Sequence, residues 1–431
     1  MIAGIIKLAS AGLSFLMFVA VAMVTDERQF GLYSATYAGA SLVSFFASIG
    51  QPAAVLRFWP QYGTAGKVGT ANSLLLRSIV VALSGLIVSS VLIALAGLVP
   101  GLSEKTPEWL PLCLAAAVLS FALAWSEFAA SALRAKGGLI GALLPRDVLW
   151  RALTIAVLAV IWLAHAQIGA VAATWVTAGL LLLSVLPQTV LLLRDALRTE
   201  RAALSSEQKA EFRSVTLGLW GATSLPPALG QVSTLLVAAI LGPEAAGAIF
   251  VADRTTRLVV LALTGLNQVL APEISAAFHN GDKRHVQKIT SLTALGSTAV
   301  ALLTLAIFVV FGQFVLSIFD AAYANPQTHL ILIVFGIGAL VSSASGPIEP
   351  LLQLTGLQHW MVKVLVAVNS VGLVVTALAT WQFGAVGAAV SIAATVIAWC
   401  VIAVSVAIRQ IGINPSIFGL LRLRGHGAPQ P

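Results

Sequence analysis

Long apolar runs, each about the length needed to cross a bilayer, alternate with short polar segments along this sequence. A helix rises about 1.5 Å per residue, so roughly 20 apolar residues cross a hydrocarbon core of about 30 Å. Backbone groups exposed to lipid must form their hydrogen bonds within the crossing segment, which a helix does alone. Charged residues make up only 9% of the chain, too few to cover a soluble domain. The pattern therefore predicts an all-α integral membrane protein.

We predict twelve membrane-spanning helices from the lengths and positions of these apolar runs. Each run is bounded by charged or turn-forming residues, which set its two ends. The predicted spans are 5–24, 32–53, 78–99, 110–132, 147–164, 169–192, 215–241, 247–270, 290–312, 328–347, 361–380 and 384–408.

Basic residues lie almost entirely on alternate sides of the predicted spans. Of the 24 Lys and Arg residues, Arg28 and Lys105 lie on one side, Arg254 and Arg257 lie inside a span, and the rest lie on the other side. Because basic residues near a span resist translocation, the richer side is predicted to be cytoplasmic. Both termini then lie in the cytoplasm. One span more or fewer would exchange the sides of all later loops.

The formal net charge of +8 is carried by short loops that face anionic lipid headgroups. No basic and aromatic module accompanies them, so the prediction is contact with membrane lipids and no nucleic-acid partner. The sequence has no GxxxxGK[ST] loop and no HExxH, CxxC or paired-histidine spacing. We therefore predict no cofactor and no metal site. Cys113 and Cys400 fall in or beside spans and are expected to be buried small residues.

The longest charge-rich interruption separates six predicted spans from six others. It divides the chain into an N-terminal bundle (1–193), a partly helical cytoplasmic linker (194–214), a C-terminal bundle (215–408) and a cytoplasmic tail (409–431). Both halves show the same order of elements: a short acidic outer loop, a glycine, a span, a proline-containing exit and a basic inner loop. Six spans per half place corresponding elements in the same orientation. This predicts two six-helix bundles related by a pseudo-two-fold axis along the membrane normal.

Several segments resemble the oligosaccharide-lipid flippases of the MOP superfamily. The first half contributes FGLYSATYAGASLVSFFASIGQPAAVLRFWPQY and ALRAKG, and the second half contributes LGPEAAGAIFVADRTTRL and LAPEISAAFHNGDK. The chain is similar in this respect to Wzx-type O-antigen and exopolysaccharide translocases, and more distantly to lipid II flippases and MATE drug exporters. The resemblance covers nearly the whole chain and implies the MATE/MOP-like fold.

The resemblance implies that the protein flips a polyisoprenyl-diphosphate-linked oligosaccharide across the bacterial cytoplasmic (inner) membrane for cell-surface polysaccharide synthesis, by ion-coupled alternating access. The implied partners are the lipid-linked oligosaccharide, a proton or sodium ion, and other polysaccharide-assembly proteins. One alternative is a MATE-like antiporter of drugs or cations. A membrane glycan polymerase or ligase is a further alternative, but the longest outer segments, about 100–109 and 313–327, are short for an enzyme. We therefore predict a transporter that is not an enzyme.

Three charged residues of the eighth predicted span are the first candidates for substrate binding. Asp253, Arg254 and Arg257 lie within two helical turns, and spacings of three and four residues bring them onto neighbouring faces. Guanidinium groups bind phosphate oxygens in pairs, so Arg254 and Arg257 are predicted to hold the diphosphate, with Asp253 available for ion coupling. Alternatively, Asp253 and Arg257 form a structural ion pair, and Arg254 alone serves the headgroup.

Arg57 lies in VLRFWPQY at the inner end of the second predicted span, next to Trp59 and Pro60. Similar flippases carry an arginine at this place, which makes Arg57 a third candidate for receiving the diphosphate at the cytoplasmic side. The alternative is an interfacial arginine that extends to the headgroup region beside a tryptophan of the aromatic belt.

Three carboxylates complete the candidates for proton or ion coupling. Glu127 stands midway along the fourth predicted span without a basic residue within one turn, so a protonated, environment-sensitive group is expected; the alternative is a permanently protonated carboxyl bonded to Ser126 or Ser131. Glu273 follows Pro272, and Glu349 lies between two prolines. Both are predicted at helix breaks, which line cavities in transporters; the alternative for each is a helix-end carboxylate near basic loops. Arg146, Asp147 and Arg151 are expected to orient the fifth helix.

Overall fold

The computed structural model describes residues 2–99 and 106–420, and these residues form helices with no β-strand among them. A π-helical segment, Pro145–Leu149, joins α6 to α7, and a single 3-10 turn, Ala321–Tyr323, follows α11. The helices are α1 (Ile2–Met23), α2 (Glu27–Ala47), α3 (Gln51–Gly63), α4 (Val68–Ala96), α5 (Trp109–Ala135), α6 (Leu139–Leu144), α7 (Trp150–Leu163), α8 (Ala170–Arg198), α9 (Ser206–Leu241), α10 (Pro243–His279), α11 (Lys283–Ser317), α12 (Pro326–Ala344), α13 (Ile348–Leu354) and α14 (Gln358–Ile411).

Each of the twelve predicted spans overlaps a helical segment of the structure. Within the residues described, nine helical stretches are long and apolar enough to cross a bilayer, and one of them, α14, comprises two helices. The fifth predicted span corresponds to the end of the π-helical segment and α7, with α6 before it, and the eighth corresponds to α10. The all-α membrane fold predicted from the sequence is therefore confirmed.

Helix α14 contains the last two predicted spans and bends at one residue. Gly384 has φ 65° and ψ −153°, a conformation outside the helical region that glycine adopts without the steric penalty of a side chain. The two helical parts pack closely after the bend, since a Cβ on Gly387 would collide with the backbone of Ala379. The predicted boundary between residues 380 and 384 thus coincides with the observed bend.

The chain divides into two compact units, with the division between Leu235 and Leu236. The sequence predicts the division at the charge-rich linker instead. The linker is partly helical, as predicted, because α8 continues to Arg198 and α9 begins at Ser206. The unit boundary differs because the first part of α9 packs within the first unit, where Phe212 contacts Phe58. The six-plus-six assignment of spans stays a prediction.

In the first unit, α5 is the central helix and packs against α2, α3, α4 and α8. It carries small residues along its length, among them Ala115, Ala122 and Ala129, all completely buried. Small side chains let helix backbones approach closely, which is the main source of packing between helices in lipid.

A break between α2 and α3 interrupts the second predicted span. Ile49 has φ 50° and Gly50 has φ 69°, so the chain turns before the new helix begins at Gln51. The turn frees carbonyl groups at the end of α2. The α9 residue Trp220 donates its Nε1–H to the Phe46 carbonyl at 3.0 Å, and the Ser224 hydroxyl donates to the Phe45 carbonyl at 2.6 Å. The Phe46 carbonyl also accepts the Ile49 N–H at 3.1 Å, so the α9 side chains add hydrogen bonds at a turn whose backbone groups are costly to leave unpaired inside a membrane.

In the second unit, α12 packs against α10, α11 and α14, and α13 packs against α10 and α14. The hydrophobic core of the second unit contains Ile274 of α10, Leu351 of α13, and Trp399 and Ala403 of α14. Large apolar side chains on the outside remain exposed, including Phe314 at 70% and Trp381 at 73%. Exposure of this extent is expected where lipid rather than water surrounds the helices.

Candidate functional site

Six charged residues of the first unit form a group that we term the N-terminal charge cluster. They come from four parts of the fold: the start of α1, the second half of α5, the π-helical segment and the start of α7. Except for Glu127, which lies within the fourth predicted span, they lie at or near the ends of the first, fourth and fifth spans that are predicted to be cytoplasmic. The members of the cluster are Lys7, Glu127, Arg134, Arg146, Asp147 and Arg151.

Asp147 is the most buried member, with its side chain only 4% exposed. The Lys7 ammonium lies 2.7 Å from its Oδ2 atom, and an Arg146 guanidinium nitrogen lies 3.4 Å from Oδ1. A buried carboxylate requires such partners, because removing a charge from water costs several kcal/mol. From the sequence, Asp147 is expected only to orient the fifth helix, whereas in the structure it also connects the π-helical segment to Lys7 of α1.

Glu127 is not an isolated carboxyl group, so that part of the sequence interpretation is wrong. Its Oε2 atom pairs with Arg146, and its Oε1 atom lies 3.4 Å from Arg134 and accepts a bond from Ser131 at 3.3 Å. Arg134 follows Glu127 by seven residues, which is two helical turns, and Arg146 belongs to another helix. Two guanidinium groups favour an ionised carboxylate. The role of Glu127 in proton coupling therefore stays a prediction without its original argument.

Arg151 is held by the π-helical segment that precedes α7. One guanidinium nitrogen donates to the carbonyl groups of Asp147 at 2.6 Å and Arg146 at 3.1 Å, and the guanidinium lies 4.8 Å from the centre of the Trp150 ring. The π-helical turn begins at Pro145, which lacks the N–H needed for regular helix. Such turns occur frequently at functional sites. The buried Nε atoms of Arg151 and Arg134 have no hydrogen-bond acceptor among the described residues.

The N-terminal charge cluster contains four cationic side chains and two carboxylates, an excess of two positive charges. Lys7 is 41% exposed, Arg134 28% and Arg146 25%, so parts of these cations remain accessible. Charges near a bilayer interior are costly and usually serve an ion or substrate pathway. A site of this composition is suited to an anionic ligand such as a phosphate group, which accepts charge-assisted bonds from guanidinium and ammonium groups.

The three charged residues of α10 lie together, as predicted from their spacing. The Arg257 Nε atom donates to Asp253 Oδ2 at 2.8 Å, and the Arg254 Nε atom lies 3.9 Å from the same oxygen. The Arg254 guanidinium also lies 4.5 Å from the centre of the Phe250 ring. The ion pair between Asp253 and Arg257 that the sequence left open is present. This group of three residues contains two guanidinium groups and one carboxylate.

Arg57 lies exposed on α3. Its guanidinium is 5.7 Å from the centre of the Phe58 ring, a distance near the outer limit of a cation–π interaction. This environment matches the alternative of an interfacial arginine. Its proposed contact with a diphosphate stays a prediction.

Glu273 does not lie at a helix break, contrary to the sequence interpretation. Helix α10 runs without interruption from Pro243 to His279, so the helix does not end or break at position 272. The Glu273 carboxylate lies 3.1 Å from His285 Nε2 at the start of α11. This contact is that of a carboxylate near a basic connecting segment, which is the alternative left open by the sequence.

Glu349 lies at the predicted break between α12 and α13. Gly346 has φ 72° and separates the two helices, and Glu349 occupies the first turn of α13. The Glu349 side chain is exposed, but the surrounding protein reduces the hydration of its carboxyl group. This loss of hydration raises the pKa of Glu349 above its ordinary value.

Comparison with known proteins agrees with this architecture. The model of a family described as "Polysaccharide biosynthesis protein" matches residues 1–278, which is more than half of the chain. A search among curated proteins gives no match for this chain.

Solved structures with the same fold are transporters. An inward-facing multidrug resistance MATE family transporter of the MOP superfamily is 15% identical, with a TM-score of 0.71 over 99% of this chain and 100% of that one. A MOP superfamily transporter from Pyrococcus furiosus Vc1 (DSM3638), described as having a binding pocket of reverse polarity, is 16% identical, with a TM-score of 0.62 over 99% and 95%. An outward-facing MATE family transporter is 17% identical, with a TM-score of 0.60 over 98% and 94%. The chain thus has the fold of MOP-superfamily transporters and belongs to the polysaccharide biosynthesis protein family.

Proposed function

We propose that this protein flips a polyisoprenyl-diphosphate-linked oligosaccharide from the cytoplasmic to the outer leaflet of the bacterial inner membrane. The observation that carries the proposal is the excess of two positive charges in the N-terminal charge cluster, at the predicted cytoplasmic ends of three spans. Family membership gives independent support for a role in polysaccharide assembly. A diphosphate arriving from the inner leaflet meets cations on this side first.

In the cluster, a substrate phosphate can replace the protein's own carboxylates as the partner of the arginines. Arg146 is shared between Glu127 and Asp147, and Arg134 between Glu127 and Ser131. An incoming phosphate competes with the carboxylates for these guanidinium groups. The guanidinium groups then replace the water that the phosphate loses, while the lipid tail stays in hydrocarbon. The barrier to be lowered is the desolvation of charges and hydroxyl groups. The arginines of α10 provide a second cationic position for the same diphosphate.

A proton or sodium gradient is the proposed driving force. Asp253, Glu127, Glu273 and Glu349 are the carboxylates proposed for coupling. The first three lie next to basic side chains, and loss of hydration raises the pKa of Glu349. Coupling predicts that transport into vesicles responds to an imposed ion gradient. A rate that is equal with and without both gradients, under saturating substrate, contradicts this part of the proposal.

Reconstituted proteoliposomes test the proposed substrate. Purified protein and a fluorescent polyisoprenyl-diphosphate oligosaccharide are combined, and the fraction of glycan reached by an external glycosidase is followed with time. Wild-type protein is expected to expose glycan from the inner leaflet faster than protein-free vesicles do. Equal rates in the two preparations would overturn the proposal.

Matched arginine variants test the site. R134Q/R146Q and R254Q/R257Q are each expected to reduce flipping at least about tenfold, since each removes two charge-assisted contacts of about 1.5–3 kcal/mol. R194Q/R198Q removes the same charge from exposed positions at the end of α8 and is expected to keep the wild-type rate. If all three double variants lose activity equally, net charge rather than the proposed sites controls transport.

A MATE-like drug antiporter is the second candidate, because the similarity in fold to a MATE transporter extends over the whole chain. A pocket for cationic drugs requires an excess of carboxylates, whereas the N-terminal charge cluster has an excess of cations. Ethidium accumulation in a host lacking its own efflux pumps separates the two functions. Reduced ethidium accumulation without glycan flipping would favour the antiporter.

A further inference from the structure

The start of α11 in the second unit borders a cavity of about 490 Å³ that none of the proposed transport steps uses. Its lining combines charged groups with two leucines: Asp282, Arg284, His285, Lys288, Leu292 and Leu420. The volume falls in the range of about 300–1,000 Å³ that is typical of small-molecule sites. Under the predicted topology the cavity lies at the cytoplasmic surface of the membrane.

Asp282 of the lining and Glu273, which contacts the lining residue His285, both have other partners. Asp282 caps α11, because its Oδ1 atom accepts the backbone N–H of His285 at 2.9 Å. Glu273 lies 3.1 Å from His285 Nε2. Within residues 2–99 and 106–420, neither Arg284 nor Lys288 lies within ion-pairing distance of a carboxylate. Two exposed cations, one turn apart on the same helix face, therefore remain available to an anion.

The apolar side of the cavity continues along α11 towards the membrane. Leu292 follows Lys288 by one turn and is 48% exposed, and Leu295, Leu302 and Leu303 are 50%, 57% and 65% exposed. These residues continue into the ninth predicted span. A ligand with a phosphate at one end and a hydrocarbon chain at the other matches this sequence of cations followed by leucines, whereas a soluble anion leaves the leucines unused.

The C-terminal segment, residues 412–420, fixes the opposite wall of the cavity. The Asn414 backbone N–H donates to Gln287 Oε1 at 2.7 Å, and Gln287 Nε2 donates to the Asn414 carbonyl. The Ile417 N–H donates to the Ala344 carbonyl at 3.0 Å. Gly419 packs so closely on Gln287 and Ser291 that a Cβ would collide with both. Leu420 is thus held at the edge of a preformed site, which lowers the entropic cost of binding.

We propose that Arg284, Lys288, Leu292 and Leu420 form a binding site for the headgroup and first acyl carbons of an anionic phospholipid. The phosphodiester contacts the two cations, and an acyl chain lies along the exposed leucines of α11. Basic pockets on the cytoplasmic side of membrane proteins bind anionic lipid headgroups by this combination of charge and depth. The site shares no residue with either of the cationic positions proposed for the transported diphosphate.

Lipid retention by the full-length protein tests the proposal. Protein is placed in nanodiscs of equal parts phosphatidylglycerol and phosphatidylcholine, and the lipids that remain bound after release are counted by native mass spectrometry. Wild-type protein is expected to retain phosphatidylglycerol in preference to phosphatidylcholine. R284Q/K288Q is expected to lose this preference by about tenfold or more, since each basic residue near the surface contributes substantially to anionic lipid binding.

The control variant K283Q/R409Q removes two exposed basic residues of the second unit that do not line the cavity, and it is expected to behave as wild type. Equal retention by R284Q/K288Q and K283Q/R409Q would overturn the proposal. A lipid site also predicts that inorganic phosphate displaces phosphatidylglycerol no better than sodium chloride of the same ionic strength. Specific displacement by phosphate would identify a soluble-anion site instead. The transported lipid is absent from this experiment, so its result is independent of the proposed flipping.

Discussion

Single charged residues inside the first unit are stabilised by partners on other helices. Asp147 shows this best, because its buried carboxylate contacts Lys7 of α1 and Arg146 of its own segment. The pairing connects residues 140 positions apart in the sequence. Removing one partner from such a group leaves a charge with neither water nor a counter-ion.

Asp147→Asn is expected to lower the free energy of unfolding by about 2 kcal/mol, less than the about 3–5 kcal/mol of a fully buried pair because Lys7 is partly exposed. SDS titration of the protein in micelles measures this change. Asp195→Asn is the matched control, since Asp195 pairs with Lys136 but is 51% exposed, and its effect is expected to be small. Similar losses in both variants would show that burial of Asp147 is not what matters.

The single residue Glu349 predicts how the stability of the protein depends on pH. Its pKa is raised in the folded protein by loss of hydration, so the folded state binds the proton more tightly than the unfolded state. The stability from this group is complete below the ordinary pKa of about 4.3 and is lost as pH rises through the raised pKa. Wild-type stability should therefore fall over this window relative to that of Glu349→Gln.

Thermal unfolding of the two proteins between acidic and neutral pH measures this difference. The advantage of Glu349→Gln is expected to be absent at the acidic end and to grow as the pH rises. A difference that stays constant with pH, or that reverses sign, would contradict the raised pKa.

The sequence predicted which residues carry charge in the membrane but not which of them meet. Arg134 follows Glu127 by two complete turns, a spacing that places both on one helix face and that a search beyond a single turn would detect. Arg146 reaches Glu127 from a different helix, and its proximity depends on how α5 packs beside the π-helical segment. Local spacing does not determine that packing.

Elements of this fold are shaped by backbone breaks as much as by helices. The break between α2 and α3 places Gly50 against α9, where an added Cβ would lie 2.9 Å from backbone atoms of Trp220. Gly85 of α4 approaches the same break from another side, since a Cβ there would collide with the Ala47 carbonyl. The turn is thus enclosed by two neighbouring helices.

Gly50→Ala is expected to destabilise the protein by about 3 kcal/mol, through both the positive φ and the collision with α9. Gly66→Ala is the control, because Gly66 has φ 75° but open space around it; only the conformational cost of about 1–2 kcal/mol applies there. Unfolding in SDS measures both. Equal effects would show that contact with α9 adds nothing to the constraint.

Helix lengths and identities were largely predictable from hydropathy, whereas the breaks within them were not. The spans predicted at 110–132 and 328–347 correspond to α5 and α12 within a few residues. The break near Gly50 was missed, although a glycine followed by Gln-Pro is a signal for a helix start. Pro272 gave the opposite error, since α10 continues through it. Neighbouring helices decide whether a proline or glycine interrupts a membrane helix.

At the scale of the whole molecule, the distribution of basic residues predicts which connecting segments lie on the cytoplasmic side of the membrane and which lie outside. The predicted topology places the segment between α8 and α9 in the cytoplasm and the segment between α7 and α8 outside. Ser205 and Gln167 are exposed residues of these two segments. Because Cys113 and Cys400 are buried, a background with both changed to alanine is suited to labelling.

Ser205→Cys and Gln167→Cys in that background test the orientation with a thiol reagent that does not cross membranes. Intact cells are expected to label Gln167→Cys only, and inverted membrane vesicles to label Ser205→Cys only. Labelling of both positions from one side would contradict an odd number of spans between them. Exchange of the two results would reverse the predicted orientation.

The sequence predicts two units, but it does not predict the position of the boundary between them. A charge-rich interruption after residue 193 suggested the boundary, yet the units divide within α9. Hydropathy identifies a connecting segment, but the contacts of Phe212, Trp220 and Ser224 with α2 and α3 arise only once the helices pack. Family membership and fold therefore follow from the whole pattern, while the position of the division required the structure.

The bend at Gly384 has a consequence for how the last two helices take part in any motion. A one-residue turn provides no slack, and the Ser391 hydroxyl donates to Thr376 Oγ1 at 3.0 Å between the two helical parts. Sliding of one part past the other would break this bond and force Gly387 against Ala379. The two helical parts of α14 are therefore expected to move together as one rigid body, and an epitope inserted at Gly384 would disturb both of them.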